Sequence, residues 1–340
     1  MRTPTTLTMT TPAMTTRPDW AGAVAILDSA ERVCLACHIR PDADALGSMV
    51  AVGRALADRG QRVVASFGEP FTVPAILAFL PGLELLSPPA SFPARPEVMM
   101  SFDASSAERL GELAAPAAAA AELIVVDHHA SNTGFGSVSL VDPAAAATAV
   151  LVADLIGHLG VPLSRDIAVG LYAGLVTDTG SFRFSATTPQ VHELAARLVA
   201  AGADPAAVSR ELYDRAPFGY LGLLAAALGR ATLDRAAAAG RGLVWTTVTN
   251  ADREPAKLPL DAAEAVIDEI RRTDEAEVAA VLKEDDQGVW QVSVRSKDVV
   301  DVGRACTELG GGGHARAAGF SHTGRAGEVI RALKRVLADQ

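Results

Sequence analysis

Short unbroken apolar runs alternate with a longer stretch of helical periodicity through the first half of the chain. Residues 32–39, 62–67, 98–102, 123–126 and 138–141 have strand length, while 45–59 repeats its apolar positions with the period of a helix. Strands that lack polar alternation are buried on both faces, which predicts a largely parallel sheet covered by helices. Helical patterns then take over at 147–159, 166–176, 189–201, 205–213 and 218–228, separated by Gly, Pro and Asp cap or stop signals. After the Ala- and Gly-rich stretch 236–242 the pattern restarts. It gives a strand at 243–249, a helix at 260–272, strands at 278–282 and 290–295, and a last helix at 327–338. The fold class read from this pattern is α/β, an N-terminal parallel-sheet domain with a helical connector and a smaller C-terminal α/β domain. The expected division is a tail over 1–18, a first domain over 19–220 that ends in the connector, and a second over 240–340.

Composition narrows the function classes. A chain of 340 residues with 49% hydrophobic and 21% charged residues has an ordinary globular balance and length for two separate cores. Thirty Lys plus Arg against forty Asp plus Glu leave a net charge of −10, which argues against general attraction to long nucleic acid. Small anionic substrates stay open, because a bound cation reverses the local field. Three cysteines, an odd count, argue against a disulfide scaffold and suit a reducing cytoplasm. Cys34 and Cys37 form a CxxC inside an apolar run and read as core. No apolar run reaches the ~18 residues of a membrane helix, and the Thr- and Pro-rich opening lacks the apolar centre of a signal peptide and is expected to be disordered.

The chemistry clusters where the apolar runs end. After the first strand the chain reads His38-Ile39-Arg40-Pro41-Asp42-Ala43-Asp44 and enters a helix, and loops at the carboxyl ends of parallel strands are the usual ligand sites of open α/β sheets. Asp44 taken alone is equally a cap for that helix. Asp103 follows the run 98–102, Asp127-His128-His129 follows 123–126, and Asp178 follows Leu175-Val176-Thr177. Read together as strand ends, these supply imidazoles and carboxylates in a mixture that suits manganese, iron, cobalt or zinc better than calcium. Two ions about 3.5–4 Å apart are the natural count for attack on a phosphoryl group. In the second domain, Gly311-Gly312-Gly313-His314 lies in a run of four glycines whose N–H groups could approach an anion, with Arg295 or Arg316 completing a phosphate cradle.

These segments, in this order and spacing, resemble the DHH phosphoesterase superfamily with its DHH-associated C-terminal domain, and within it the bifunctional oligoribonuclease and PAP phosphatase type that includes cyclic-di-AMP phosphodiesterases. The resemblance covers roughly residues 19–340 and rests on HIRPDADALGS, Asp103, the DHH at 127–129, TDTGSFRF at 177–184, VRS at 294–296 and GGGHARAAG at 311–319. It implies two manganese ions, one held by His38, Asp42 and Asp103, the other by Asp44, Asp103, His128 and Asp178. Asp103 bridges in this assignment, Asp127 orients His128, and His129 touches substrate phosphate. Arg295, Ser296, Gly311, Gly312, Gly313 and His314 are implied to hold the nucleotide. Substrates implied are short 5′-phosphorylated oligonucleotides, linear or cyclic dinucleotides and 3′-phosphoadenosine 5′-phosphate; a homodimer is suggested. Neither long duplexes nor a membrane are expected partners. Two departures from the family pattern are Ala43, where glycine is common, and Ala315, where proline often follows GGGH. An inorganic pyrophosphatase of the same superfamily and a non-catalytic nucleotide sensor are the alternative readings.

Overall fold

The structure, a computed structural model, describes residues 17–338. Most of the tail expected over 1–18 therefore lies outside the described residues. The chain divides into two compact units that meet in sequence between Leu212 and Tyr213.

The first unit is built on β1 (Arg32–Cys37), β2 (Arg62–Phe67), β3 (Val98–Phe102), β4 (Glu122–Asp127) and β5 (Val138–Val141). They form one parallel sheet in the order β2-β1-β3-β4-β5. Its helices are α1 (Trp20–Ser29), α2 (Ala43–Asp58), α3 (Ala114–Ala119), α4 (Thr148–His158), α5 (Arg165–Asp178), α6 (Pro189–Ala200) and α7 (Pro205–Tyr213). Alternate strand residues serve two cores. Val33, Leu35, Cys37, Met100, Phe102, Ile124 and Val126 join the cluster that holds α2, α4 and α5, while Cys34, Ala36, Met99 and Val125 pack on Leu110, Leu113 and Ala117 on the other face. Burial on both faces is why these strands read as continuous apolar runs. Cys34 and Cys37 are buried free thiols, as read from the sequence.

Helices α2 and α5 cross unusually close. A Cβ at Gly47 would stand 2.4 Å from the carbonyl oxygen of Gly170, so neither backbone tolerates a side chain at the crossing. That closeness brings the first turn of α2 and the last turns of α5 to the same edge of the sheet.

The second unit comprises α8 (Tyr220–Gly229), β6 (Thr232–Asp234), α9 (Ala237–Gly240), β7 (Leu243–Val248), α10 (Asn250–Arg253), α11 (Val266–Ile270), β8 (Val278–Glu284), β9 (Trp290–Ser296), α12 (Val302–Glu308), β10 (Gly312–His314), β11 (Ala317–His322) and α13 (Ala326–Leu337). Its mixed sheet runs β10-β11-β9-β8-β7-β6, with β7 and β8 parallel and the other neighbours antiparallel. Val292, Val294, Phe320 and Val329 build the core under α12 and α13; Val244, Val281, Val266 and Ile267 build the one under α8 and α11.

The helix read over 260–272 is instead a 3-10 turn, Leu260–Ala263, followed by the short α11. The apolar spacing that suggested one helix is real, with Ala263, Val266, Ile267 and Ile270 all buried, but the first turn closes by i→i+3 bonds. Helix α1 and strand β6 are additions that the apolar pattern did not reveal. No helix among the described residues is long and apolar enough to cross a membrane.

Candidate metal centre and its loops

Three adjacent strands deliver the candidate residues to one edge. His38 follows β1, Asp103 follows β3, Asp127 ends β4, and His128 and His129 come next. The order of strands along the sheet reverses between β1 and β3, the crevice where open parallel sheets bind their ligands. Asp42 and Asp44 sit at the start of α2. Asp178 is the last residue of α5, the helix read over 166–176, so it ends a helix and not a strand like the acids it was grouped with. Residues 167–176 of that helix are buried, so its apolar surroundings resemble those of a buried strand.

The side chains converge on Asp103, which is 3% exposed. Its Oδ2 lies 3.6 Å from His38 Nε2, and that nitrogen is 3.8 Å from Asp42 Oδ2. Its Oδ1 lies 3.5 Å from His128 Nε2, which is also 3.9 Å from Asp44 Oδ2 and 3.2 Å from Asp178 Oδ2. The two oxygens of one carboxylate thus face two separate sets of donors, His38 with Asp42 and His128 with Asp44 and Asp178. Within each of the triads His38-Asp42-Asp103 and Asp44-Asp103-His128, the nearest potential ligand atoms lie within 4.8 Å of one another.

Local chemistry aims each group. The Nδ1 atoms of His38 and His128 contact the carbonyls of Ile39 at 2.9 Å and Ala145 at 3.2 Å, so each ring offers Nε2 to the cluster. Asp103 has a φ of 55°, a left-handed conformation that aspartate tolerates better than most side chains yet still at a cost. The helix cap is Asp42, whose Oδ1 accepts the N–H of Ala45 at 3.0 Å. Asp44 is therefore released from capping its own helix and is bound by another. Its oxygens accept the N–H groups of Thr148 at 2.6 Å and Ala149 at 2.9 Å, at the start of α4, where the helix dipole favours negative charge. Gly174 makes room for it, since a Cβ there would stand 2.6 Å from Asp44 Oδ1.

Thr148 is a residue that the sequence reading missed. Its hydroxyl donates to Asp103 Oδ1 at 2.8 Å while its N–H holds Asp44, so one buried threonine steadies two of the carboxylates. Nothing local in Ala147-Thr148-Ala149 signals this, because the partners are 45 and 104 residues away. Asp127 is a second correction. It was read as orienting His128, but its Oδ1 accepts from His129 Nδ1 at 2.7 Å and its Oδ2 from Asn132 Nδ2 at 2.6 Å.

Electrostatics shows what such a cluster can hold. Burial pushes the Asp44 carboxyl well above its ordinary value, and the charges of Asp178 and Asp103 add to the rise. Asp178 is likewise raised to about 6, chiefly by burial. Burial opposes charge on His38 and His128, yet hydrogen bonds and charge from the carboxylates outweigh it and raise them to about 10 and about 11. Burial opposes charge on Asp42 and Asp103 as well, yet His38 beside Asp42, and His38, His129 and His128 beside Asp103, hold both below the usual carboxylate range. The described ion-pair partners of these four carboxylates are imidazoles, and once the imidazole protons leave, the donor set of carboxylate oxygen and imidazole nitrogen fits a divalent cation.

In the second unit, His314 on β10 lies opposite Ala317 on β11, which lies opposite Arg295 on β9, so all three share one face of the sheet. Ser296 points to the other face. It is the last residue of β9, as read, is 2% exposed, and its hydroxyl donates to Glu277 Oε1 at 2.8 Å. Gly312 and Gly313 belong to β10 and are not a free loop, and the N–H of Gly311 closes the end of α12 on the carbonyl of Cys306 at 2.9 Å.

Comparison with known proteins identifies the family. The model of the DHH family, N-terminal domain, matches residues 32–175, and that of the DHHA1 domain matches residues 248–339. The chain belongs to the DHH family of phosphoesterases, with its DHHA1 domain in the second unit. Among its relatives is the bifunctional oligoribonuclease and PAP phosphatase NrnA of Thermus thermophilus, 34% identical over 310 residues, 90% of this chain and 88% of that protein. The Bacillus subtilis protein of the same description is 26% identical over 188 residues, 54% of this chain and 58% of that protein. A crystal structure of an exopolyphosphatase-related protein from Bacteroides fragilis shares the fold, with a TM-score of 0.84, 21% identity, and coverage of 94% of this chain and 95% of that one.

Proposed function

We propose that this hydrolase uses two divalent cations, manganese by preference, to cleave short 5′-phosphorylated oligonucleotides and linear or cyclic dinucleotides to mononucleotides, and 3′-phosphoadenosine 5′-phosphate to AMP. The observation that carries the reading is the division of Asp103 between two donor sets, His38 with Asp42 and His128 with Asp44 and Asp178. Resemblance to the Thermus thermophilus oligoribonuclease and PAP phosphatase over most of both chains supports the choice of substrate.

In this reading the six residues would hold the cations, and Thr148 steadies Asp103 and Asp44. When bound, such a pair of cations supplies a nucleophilic hydroxide at neutral pH and neutralises charge on the phosphoryl group. His129 holds a proton that Asp127 and Asp103 favour in spite of burial, and its task is to meet the phosphate and the departing oxygen. Arg295 and His314, on one face of the second sheet, are the candidates to hold the nucleotide, with the Gly311-Gly312-Gly313 backbone beside them.

The test is AMP release from pApA by the purified protein with manganese, with chelator, and beside a pyrophosphate control. Metal-dependent AMP release without pyrophosphate cleavage is the expected outcome. Pyrophosphate cleavage alone would move the chain to pyrophosphatase chemistry, and binding of pApA without turnover would make it a sensor.

A further inference from the structure

Both oxygens of the buried Asp127 are engaged within its own loop: Oδ1 by His129 Nδ1 and Oδ2 by the side-chain amide of Asn132. Asn132 is itself held on every side. Its Oδ1 accepts the N–H of Gly134 at 2.8 Å, its Nδ2 also reaches the carbonyl of Ala104 at 3.3 Å, and its backbone N–H donates to the carbonyl of His129 at 3.1 Å. The amide can point only one way, because a carboxylate accepts and a peptide N–H donates. Since Ala104 follows Asp103, Asn132 ties the loop after β4 to the loop after β3. The carboxylate beside Nδ1 makes that nitrogen the donor, and Nε2 is the ring nitrogen on the side away from Asp127.

We propose that Asn132 is a positioning residue for the hydrolysis, fixing Asp127 so that Asp127 aims His129 and His129 Nε2 delivers a proton to the ribose oxygen that leaves phosphorus. The inference rests on the phosphodiester reading above. In the step, the oxygen of water bonds to phosphorus and the bond from phosphorus to ribose oxygen breaks, leaving its electron pair on that oxygen. The proton from His129 Nε2 neutralises it, and the proton that water gives up returns to the imidazole through solvent. Loss of an outer group that orients a metal-binding imidazole typically costs about 10–100-fold, and the same order is expected for one that orients a reacting imidazole.

The experiment compares two esters. Cleavage of pApA expels a ribose oxygen that needs a proton, whereas the p-nitrophenyl ester of thymidine 5′-phosphate expels a phenolate that does not. Asn132→Ala lowers kcat on pApA by about 10–100-fold and changes kcat on the aryl ester by less than about threefold, with KM and manganese affinity unchanged. Asn132→Asp is the control for a mere loop role: it keeps the shape and the bond from the Gly134 N–H but replaces the donor to Asp127 with a second carboxylate, so its loss on pApA is at least that of Asn132→Ala. Equal losses on both esters, or a wild-type ratio in Asn132→Asp, would overturn the role of Asn132. A wild type that cleaves the aryl ester but not pApA would overturn the substrate reading, and this role with it.

Discussion

At the scale of single residues, the site is a competition between protons and cations for one set of carboxylates. His38 and His128 hold protons up to about 10 and about 11, against an ordinary value of 6.5. Both values are raised, so the stability that these protons give the metal-free fold is complete below pH 6.5 and is lost as pH climbs through the folded values. Asp42 and Asp103 have the opposite sign, contributing above the ordinary carboxylate value and losing that contribution in acid. A cation must displace the imidazole protons, and below about 6 it must also displace one from Asp178. The rise in Tm on adding manganese is therefore predicted to grow steadily from pH 6 to pH 9 at fixed free metal, as scanning calorimetry would read it. A rise independent of pH would separate these imidazoles from the metal. Much of the residue list was legible in the sequence, since ionisable groups that end buried strands have few structural explanations. Thr148 and Asn132 were not, because a hydroxyl or an amide acts only through partners that the fold supplies.

Among elements, the crossing of α2 and α5 decides whether the site exists. Asp44 rides on the first turn of α2, receives its hydrogen bonds from the start of α4, and fits beside α5 only because residue 174 has no side chain. Gly174→Ala is predicted to push Asp44 away from Thr148, to lower manganese affinity at least tenfold, and to destabilise the fold by about 1–3 kcal/mol, the usual range for overpacking a filled core. Metal titration beside a denaturant melt checks both, and a variant with unchanged affinity would show that Asp44 does not need this space. The strands that carry the site were plain from the sequence because a sheet covered on both faces needs uninterrupted apolar runs. Asp178 was grouped with the strand ends although 166–176 reads as a helix, since a helix buried on all sides also loses its polar face. The short elements of the second unit were harder still. The segment 260–270 kept its helical spacing while its backbone divided into a 3-10 turn and α11, a distinction that side-chain pattern does not carry.

For the molecule as a whole, a net charge of −10 goes with a concentrated group of buried carboxylates that imidazoles balance until a cation takes the place of their protons. The chain brings a DHH unit with the donors and a DHHA1 unit with a sheet face that bears Arg295 and His314, and its family resemblance extends over both units. The central claim is that Asp103 joins two cation sites. Its most direct test is the manganese stoichiometry of the purified protein, wild type against Asp103→Asn, by equilibrium dialysis and metal analysis. Asparagine tolerates the left-handed backbone of position 103, so the variant isolates the lost charge. Two ions per wild-type chain, falling to one or none in Asp103→Asn together with loss of AMP release from pApA, is the predicted result; two ions and full turnover in the variant would contradict it.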